Sequence, residues 1–251
     1  ASALNSTREI ARNNPELYKL GTLYQHLDET LKLNLSDWVA VTGGRYARYF
    51  DHSEDSFRLS SLVAIEIGGL LNRSPRLARS TLDYIFRRID RSLDGTPTIV
   101  YVEEAWFMLS DPKSAAKVED WLRTLRKKNA GIWLATQSLE ELENSSIGTV
   151  LVESTPTRIY LPNPEASKHA HLYSQSFGLN DWQIATIENA QINSDYYIAT
   201  PDGGRTVGCR LRGDLLAAMR SDTAARRKLK TAMATGGEDW QQTYFDLMQV
   251  A

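Results

Sequence analysis

Ile99-Val100-Tyr101-Val102 is a short, β-branched apolar run that opens after Thr96-Pro97 and stops at two adjacent carboxylates, Glu103 and Glu104. Bounded in this way and too short for a helix, it is expected to form a buried strand of a parallel sheet. The segments on either side support that reading. Upstream, Ser74 is placed to cap a helix with Pro75 in its first turn, a stripe of Leu82, Ile85, Phe86, Ile89 and Leu93, and Gly95 just past its end. Downstream, Asp111-Pro112 repeats the start signal, and Val118, Trp121, Leu122 and Leu125 fall at i, i+3, i+4 and i+7. Gly131 to Thr136 then reads as a second buried strand, followed by the capping pattern Ser138-x-x-Glu141. Strand and helix alternating in this rhythm predict right-handed βαβ units: an α/β fold, mainly parallel sheet flanked by helices.

Farther from this centre the pattern is looser. Residues 1–37 are predicted to be a helical segment, with Leu17, Leu20, Tyr24, Leu27 and Leu31 spaced three or four apart. Residues 38–60 read as strands and turns, and Ser60 to Leu71 as a helix. Thr157 to Leu161 is a further short strand, and Asn180 is expected to cap a helix reaching Ala190. Tyr196 to Ala199 and Thr206 to Leu211 bracket Pro201-Asp202-Gly203-Gly204 as a hairpin closing the sheet. The domain reading is therefore 1–37, a core over 38–213, and a helical tail over 214–251 broken at Gly236-Gly237.

Bulk properties exclude rather than identify. A hydrophobic content of 42% and a charged content of 24% are ordinary for a globular chain. The net charge of −2 argues neither for nor against a nucleic-acid partner, so such a site would have to be a local patch. The single cysteine, Cys209, excludes an internal disulfide and, from its alternating neighbours, is expected to be buried. No segment approaches the roughly 18 uninterrupted apolar residues of a membrane span. The chain does not start with methionine and carries no signal-peptide pattern, so it is expected to be a piece of something longer.

The chemistry-bearing residues cluster after the two strands. Acids at the carboxyl end of a strand sit where open α/β sheets bind ligands. In nucleotide hydrolases that position serves Mg²⁺ and the attacking water. On this reading Glu103 holds Mg²⁺ through its water shell and Glu104 orients and partly deprotonates the water. The plainer alternative is that both acids end a strand and face solvent. Side chains alternate along a strand, so both reach one site only if the backbone turns out of the sheet at Glu104. Gln137, after the second strand, can donate to a γ-phosphate oxygen while accepting from water; its plainer role is in the turn beside Ser138. Arg123, Arg126, Lys127 and Lys128 offset the dipole of the helix they end. Failing that, one arginine reaches a neighbouring subunit's nucleotide, or the group contacts DNA phosphates. His169 and His171 have no nearby cysteine and only Glu165 in reach, which makes a poor zinc site. A G-x-x-x-x-G-K-[S/T] phosphate loop is absent from all 251 residues.

These residues together resemble a family. Asp94-Gly95-Thr96-Pro97 running into Val100-Tyr101-Val102-Glu103-Glu104-Ala105-Trp106, and then Trp121 through Ala130, look like the VirB/TrbE-class ATPases of type IV secretion and conjugation. The likeness continues through Ala135-Thr136-Gln137-Ser138, Pro156-Thr157, Leu161-Pro162-Asn163, Phe177-Gly178-Leu179, Tyr196-Tyr197 and Pro201-Asp202-Gly203. With Tyr46 to Asp51 upstream, it covers most of residues 45–212. The resemblance implies a RecA-like P-loop NTPase core, incomplete on its N-terminal side, with helical appendages. It implies the carboxyl-terminal part of a motor that uses ATP and Mg²⁺ and assembles as a homo-oligomer, a hexamer. That motor would work with other secretion components at the cytoplasmic face of the bacterial inner membrane. Its task would be pilus assembly or export of protein or DNA. Residue by residue, Glu103 and Glu104 fall on the Walker B acids and Gln137 on the glutamine motif. Arg126 and Arg205 fall on basic motif positions, one of which would act in trans. Two departures stand out. Glu103 replaces the family's usual Asp, and the missing phosphate loop leaves this stretch inert alone. The alternatives are a non-catalytic assembly module and a DNA-translocating RecA-like motor.

Overall fold

Thr98–Val102 does form a strand (β1), and Ala130–Leu134 (β2) lies parallel to it, with Thr98 opposite Ala130 at one end and Val102 opposite Leu134 at the other. The two strands are not buried as expected, since Ile99, Tyr101 and Trp133 on one face are exposed. The computed structural model describes residues 1–71, 74–211 and 213–249; Asn72, Arg73, Arg212, Val250 and Ala251 lie outside the described residues. The chain divides into two units, Ala1–Asp94 and Gly95–Ala251, a division that falls inside the 38–213 span read as one core.

The first unit is helical. Its helices are α1 (Ser2–Asn13), α2 (Leu20–Gln25), α3 (Glu29–Leu35), α4 (Ala47–Phe50), α5 (Gly68–Leu71) and α6 (Pro75–Ser92). Helix α6 follows its punctuation: the Ser74 side chain accepts from the Leu77 N–H, Pro75 sits in the first turn, and Leu77, Leu82, Ile85 and Phe86 are buried. Trp38, Tyr46 and Leu77 form this unit's small core, with Leu20, Leu35, Tyr49 and Phe50 against it. Two expectations fail here. Residues 38–60 contain no strand among the described residues. The Asp51 carboxylate instead accepts from the backbone N–H groups of Gly21 (2.7 Å) and Ala40 (2.8 Å), and Trp38 packs on Tyr46 and Phe50, so the segment is wound into tight turns. The helix expected over Ser60 to Leu71 is reduced to α5; ahead of it the apolar residues Leu62, Val63 and Ile65 are exposed and are not held by packing.

The second unit carries β1, α7 (Ala105–Ser110), α8 (Pro112–Thr124), β2, α9 (Leu139–Glu143), α10 (Gly148–Ser154), β3 (Arg158–Tyr160), α11 (Asp181–Glu188), β4 (Asp195–Thr200), β5 (Gly203–Gly208) and a tail of α12 (Gly213–Met219), α13 (Thr223–Thr235) and α14 (Trp240–Met248). Asp111 caps α8 from a buried position, its carboxylate accepting from the N–H and Oγ of Ser114. Helix α8 packs on β2 and α10, with Ala115, Val118, Trp121 and Leu125 buried on that side. Asn129, in the left-handed region (φ 54°), ends the following turn and donates to the Gly95 carbonyl (3.0 Å), returning the chain to the start of β2.

The hairpin of β4 and β5 forms as expected but does not close the parallel sheet. It joins β3 in a separate three-stranded antiparallel sheet of order β3-β4-β5. The reason lies in its core. Tyr160, Tyr173, Phe177, Ile184, Ile187 and Tyr197 bury together, and Gln183 donates to the Tyr197 hydroxyl (2.8 Å). Burial pushes the Tyr160 hydroxyl up to about 12. Cys209 is exposed rather than buried, because β5 ends at Gly208 and the thiol lies past the ladder. No described helix is long and apolar enough to cross a membrane.

Candidate active site at the carboxyl ends of the parallel strands

The β1–β2 ladder runs beyond its last strand residues. The Ala135 N–H donates to the Val102 carbonyl (2.9 Å), and the Ala105 N–H donates to the Ala135 carbonyl (2.9 Å). These two bonds fix residues 103–105 beside residues 135–137. Between them Glu104 adopts φ 53°, ψ 45°, a left-handed conformation that a non-glycine residue takes at a cost of about 1–2 kcal/mol. This is the turn out of the sheet that the adjacent acids require if they are to share a site.

Glu104 occupies the N-cap of α7, where a carboxylate ordinarily accepts from backbone N–H groups of the first turn. Here it makes no such cap. Its Oε1 accepts from the Gln137 amide Nε2 at 2.7 Å, and its Oε2 accepts from the Trp106 indole Nε1 at 2.5 Å. Gln137 is exposed, and the turn that presents it is held by Ser138, whose N–H donates to Thr136 Oγ1 (3.4 Å) and whose hydroxyl caps α9 at Glu141 (3.2 Å). Glu103 is exposed and makes no hydrogen bond or ion pair among the described residues. Its carboxylate is therefore open to a hydrated cation.

The structure thus brings Glu104 and Gln137 together, with Glu103 adjacent in the chain. Arg126 stands elsewhere. It lines an open depression of about 470 Å³ with Pro97, Thr98, Ile99, Asn129, Ala130 and Gly131, at the amino ends of β1 and β2. Five-residue strands separate those ends from Glu104 by roughly 13 Å, so Arg126 does not join Glu104 within one chain. Arg205 is exposed on β5, opposite Ile198 of β4, in the other sheet. Trp106 is the residue that motif reasoning passed over. Its signal was present, since an indole N–H can only donate and stands two residues from an acid.

Whether this donor set suits Mg²⁺ and a nucleotide can be judged from its chemistry. An open carboxylate, an anchored carboxylate and a side-chain amide at the carboxyl ends of parallel strands suit the water and metal side of such a site. The phosphate-cradling side has no counterpart in the sequence. Among the described residues, no three His, Cys, Asp or Glu side chains group as a metal cluster.

No protein-family model matches the chain. It is 40% identical over 163 residues to a probable conjugal transfer protein TrbE of Sinorhizobium fredii, a match covering 64% of this chain and 25% of that protein. It is 26% identical to the type IV secretion system protein VirB4 of Brucella abortus, over 94% of this chain and 30% of that protein. The chain therefore spans about a quarter of the length of these relatives. The solved VirB4 of Thermoanaerobacter pseudethanolicus superposes with a TM-score of 0.57 at 16% identity, over 83% of this chain and 54% of that one. That likeness establishes a shared α/β, RecA-like fold. The chain is a relative of the VirB4/TrbE class of type IV secretion proteins.

Proposed function

We propose that the chain is the carboxyl-terminal part of a longer oligomeric ATPase that energises type IV secretion, contributing the acid-and-glutamine half of its active site. The observation that carries this reading is the Glu104–Gln137 hydrogen bond across the ends of two parallel strands, with Glu104 in a left-handed turn. Its length relative to TrbE and VirB4, and the lack of a G-x-x-x-x-G-K-[S/T] loop, support placing the phosphate cradle outside these residues.

When bound, Mg-ATP supplies the phosphoanhydride bond to be cleaved. Glu103 would hold the Mg²⁺ through its water shell, reaching one methylene farther than an aspartate. Glu104 receives the proton of the attacking water on a carboxylate oxygen. Gln137 gives its amide hydrogen either to Glu104, as here, or to a phosphate oxygen, and so couples the base to the presence of the γ-phosphate. In a homo-oligomer, proposed to be a hexamer, Arg126 or Arg205 would serve a neighbouring subunit's nucleotide. The position of Arg126 away from Glu104 in its own chain supports a role in trans. Peripheral attachment at the cytoplasmic face of the inner membrane, together with other secretion components, completes the proposal. Protein and DNA both remain candidate cargoes.

Glu104→Gln in the longer protein tests this reading. The expected result is loss of ATP hydrolysis and of transfer, with oligomer assembly retained. Wild-type transfer by the variant, with no ATP hydrolysis in either protein, would instead favour a non-catalytic assembly module.

A further inference from the structure

Trp106 belongs to the acid motif, yet the proposed chemistry leaves it without a task. Its large indole is 37% exposed at the start of α7, edge-on to Phe107 (ring centroids 6.0 Å apart), with its single N–H on Glu104 Oε2 at 2.5 Å. Glu104 forgoes capping its own helix, and both of its carboxylate oxygens instead meet side-chain donors, one from Trp106 and one from Gln137. The terminal torsion of a glutamate is soft and broad, so an unanchored carboxylate samples many planes. Two donors on its two oxygens fix the plane. The two anchors differ in kind. Gln137 is exposed and lies across the sheet on a turn, whereas Trp106 is on the same short segment as Glu104 and is stiffened by Phe107.

We propose that Trp106 is a positioning residue for Glu104: its indole N–H keeps one carboxylate oxygen in place when Gln137 leaves the other for a phosphate. The proposal rests on Glu104 being the base. In the resting arrangement the carboxylate is parked between both donors. Withdrawal of Gln137 frees Oε1 toward water, while Trp106 prevents the carboxylate from swinging away. Rotation of that carboxylate by an ångström or so would cost up to roughly 100-fold in rate. Loss of a single anchor is expected to cost about tenfold.

The first test uses the 251-residue chain, whose six tryptophans give six indole N–H signals in a ¹H–¹⁵N spectrum. Trp106→Phe identifies the Trp106 signal by its disappearance. Glu104→Gln, which weakens the acceptor without removing the side chain, is expected to move that signal further than any of the other five. Gln137→Ala is expected to move it less. A Trp106 signal indifferent to Glu104→Gln overturns the clamp, whatever the chain's activity. The second test compares kcat and KM for ATP in the longer protein. Trp106→Phe is expected to lower kcat about tenfold with KM unchanged, since a positioning loss acts on the transition state rather than on nucleotide binding. A fully active Trp106→Phe beside an inactive Glu104→Gln overturns the positioning role alone. Equal turnover by wild type and Glu104→Gln overturns the base reading, and the catalytic use of Trp106 with it.

Discussion

The second unit contains two sheets of similarly short strands that are supported in opposite ways. In the parallel pair, α8 covers one side, while Ile99, Tyr101 and Trp133 on the other are 68%, 60% and 55% exposed. In the antiparallel sheet, the tyrosine cluster with α11 forms a closed core in which Ile187 is fully buried and Tyr197 nearly so. Parallel sheets are normally covered on both faces, and antiparallel ones need only one. The antiparallel sheet is thus complete in itself, whereas the parallel pair carries both the unfinished surface and all three side chains of the candidate site. On the proposed reading, the well-packed core and the chemistry are lodged in different sheets, as expected if functional elements come from the less stable parts of folds.

The difference is open to direct measurement. Ile187→Ala should cost about 2–5 kcal/mol in a denaturant melt, the range for emptying a packed core position. The same truncation on the exposed face, Ile99→Ala, should stay within about 0.5 kcal/mol. Equal costs would show that the two sheets do not differ in the way described. Gly204→Ala is expected to be next in size. A Cβ there would lie 1.9 Å from the Tyr197 hydroxyl, so the buried ring must shift and its bond from Gln183 must bend. Overpacking of this kind costs about 1–3 kcal/mol, read as a lower melting midpoint.

Smaller still is the backbone strain at Glu104. Glu104→Gly and Glu104→Ala both remove the carboxylate, but only glycine accepts φ 53° freely. The glycine variant should be more stable than the alanine one by about 1 kcal/mol. The reverse order would mean that the left-handed turn is not held at this position. Outside both sheets, the Arg220 side chain, with help from the backbone N–H groups that the carboxylate caps, draws the Asp222 carboxyl down to about 2 from an ordinary 3.8. Because the folded value lies below the ordinary one, its support for α13 is whole above about pH 4 and lost as pH falls toward 2. Hydrogen exchange in the first turn of α13 should quicken over that window in wild type, and show no such step in Asp222→Asn.

Much of this arrangement was legible where a local rule acts alone. Ser74-Pro75 and Asp111-Pro112 marked helix starts because a cap and a fixed φ are properties of a few adjacent residues. That the backbone must turn at Glu104 if both acids share a site followed from the alternation of side chains along a strand, whereas the Glu104–Gln137 hydrogen bond and the left-handed form of the turn emerged only in the structure. What failed depended on distant partners. Asp51 drawing in Gly21 and Ala40 turned an expected stretch of strands into tight turns. The hairpin's choice of β3 over the parallel sheet was decided by Tyr160 and Tyr197, whose meeting no local pattern announces. Trp106 was visible as a donor near an acid, but its partner was not, since its aim is set by the turn before it.

The central claim, that Glu104 and Gln137 are the hydrolytic side of a nucleotide site completed by chain upstream, is tested most directly by Mg-ATP turnover. The 251-residue chain would be assayed beside the same chain extended upstream in its natural reading frame, each with and without Glu104→Gln. The account predicts turnover by the extended chain alone, lowered at least about 100-fold in kcat by Glu104→Gln, in keeping with loss of a general base. Turnover unaffected by Glu104→Gln, or none from the extended chain even at high protein concentration, would contradict it.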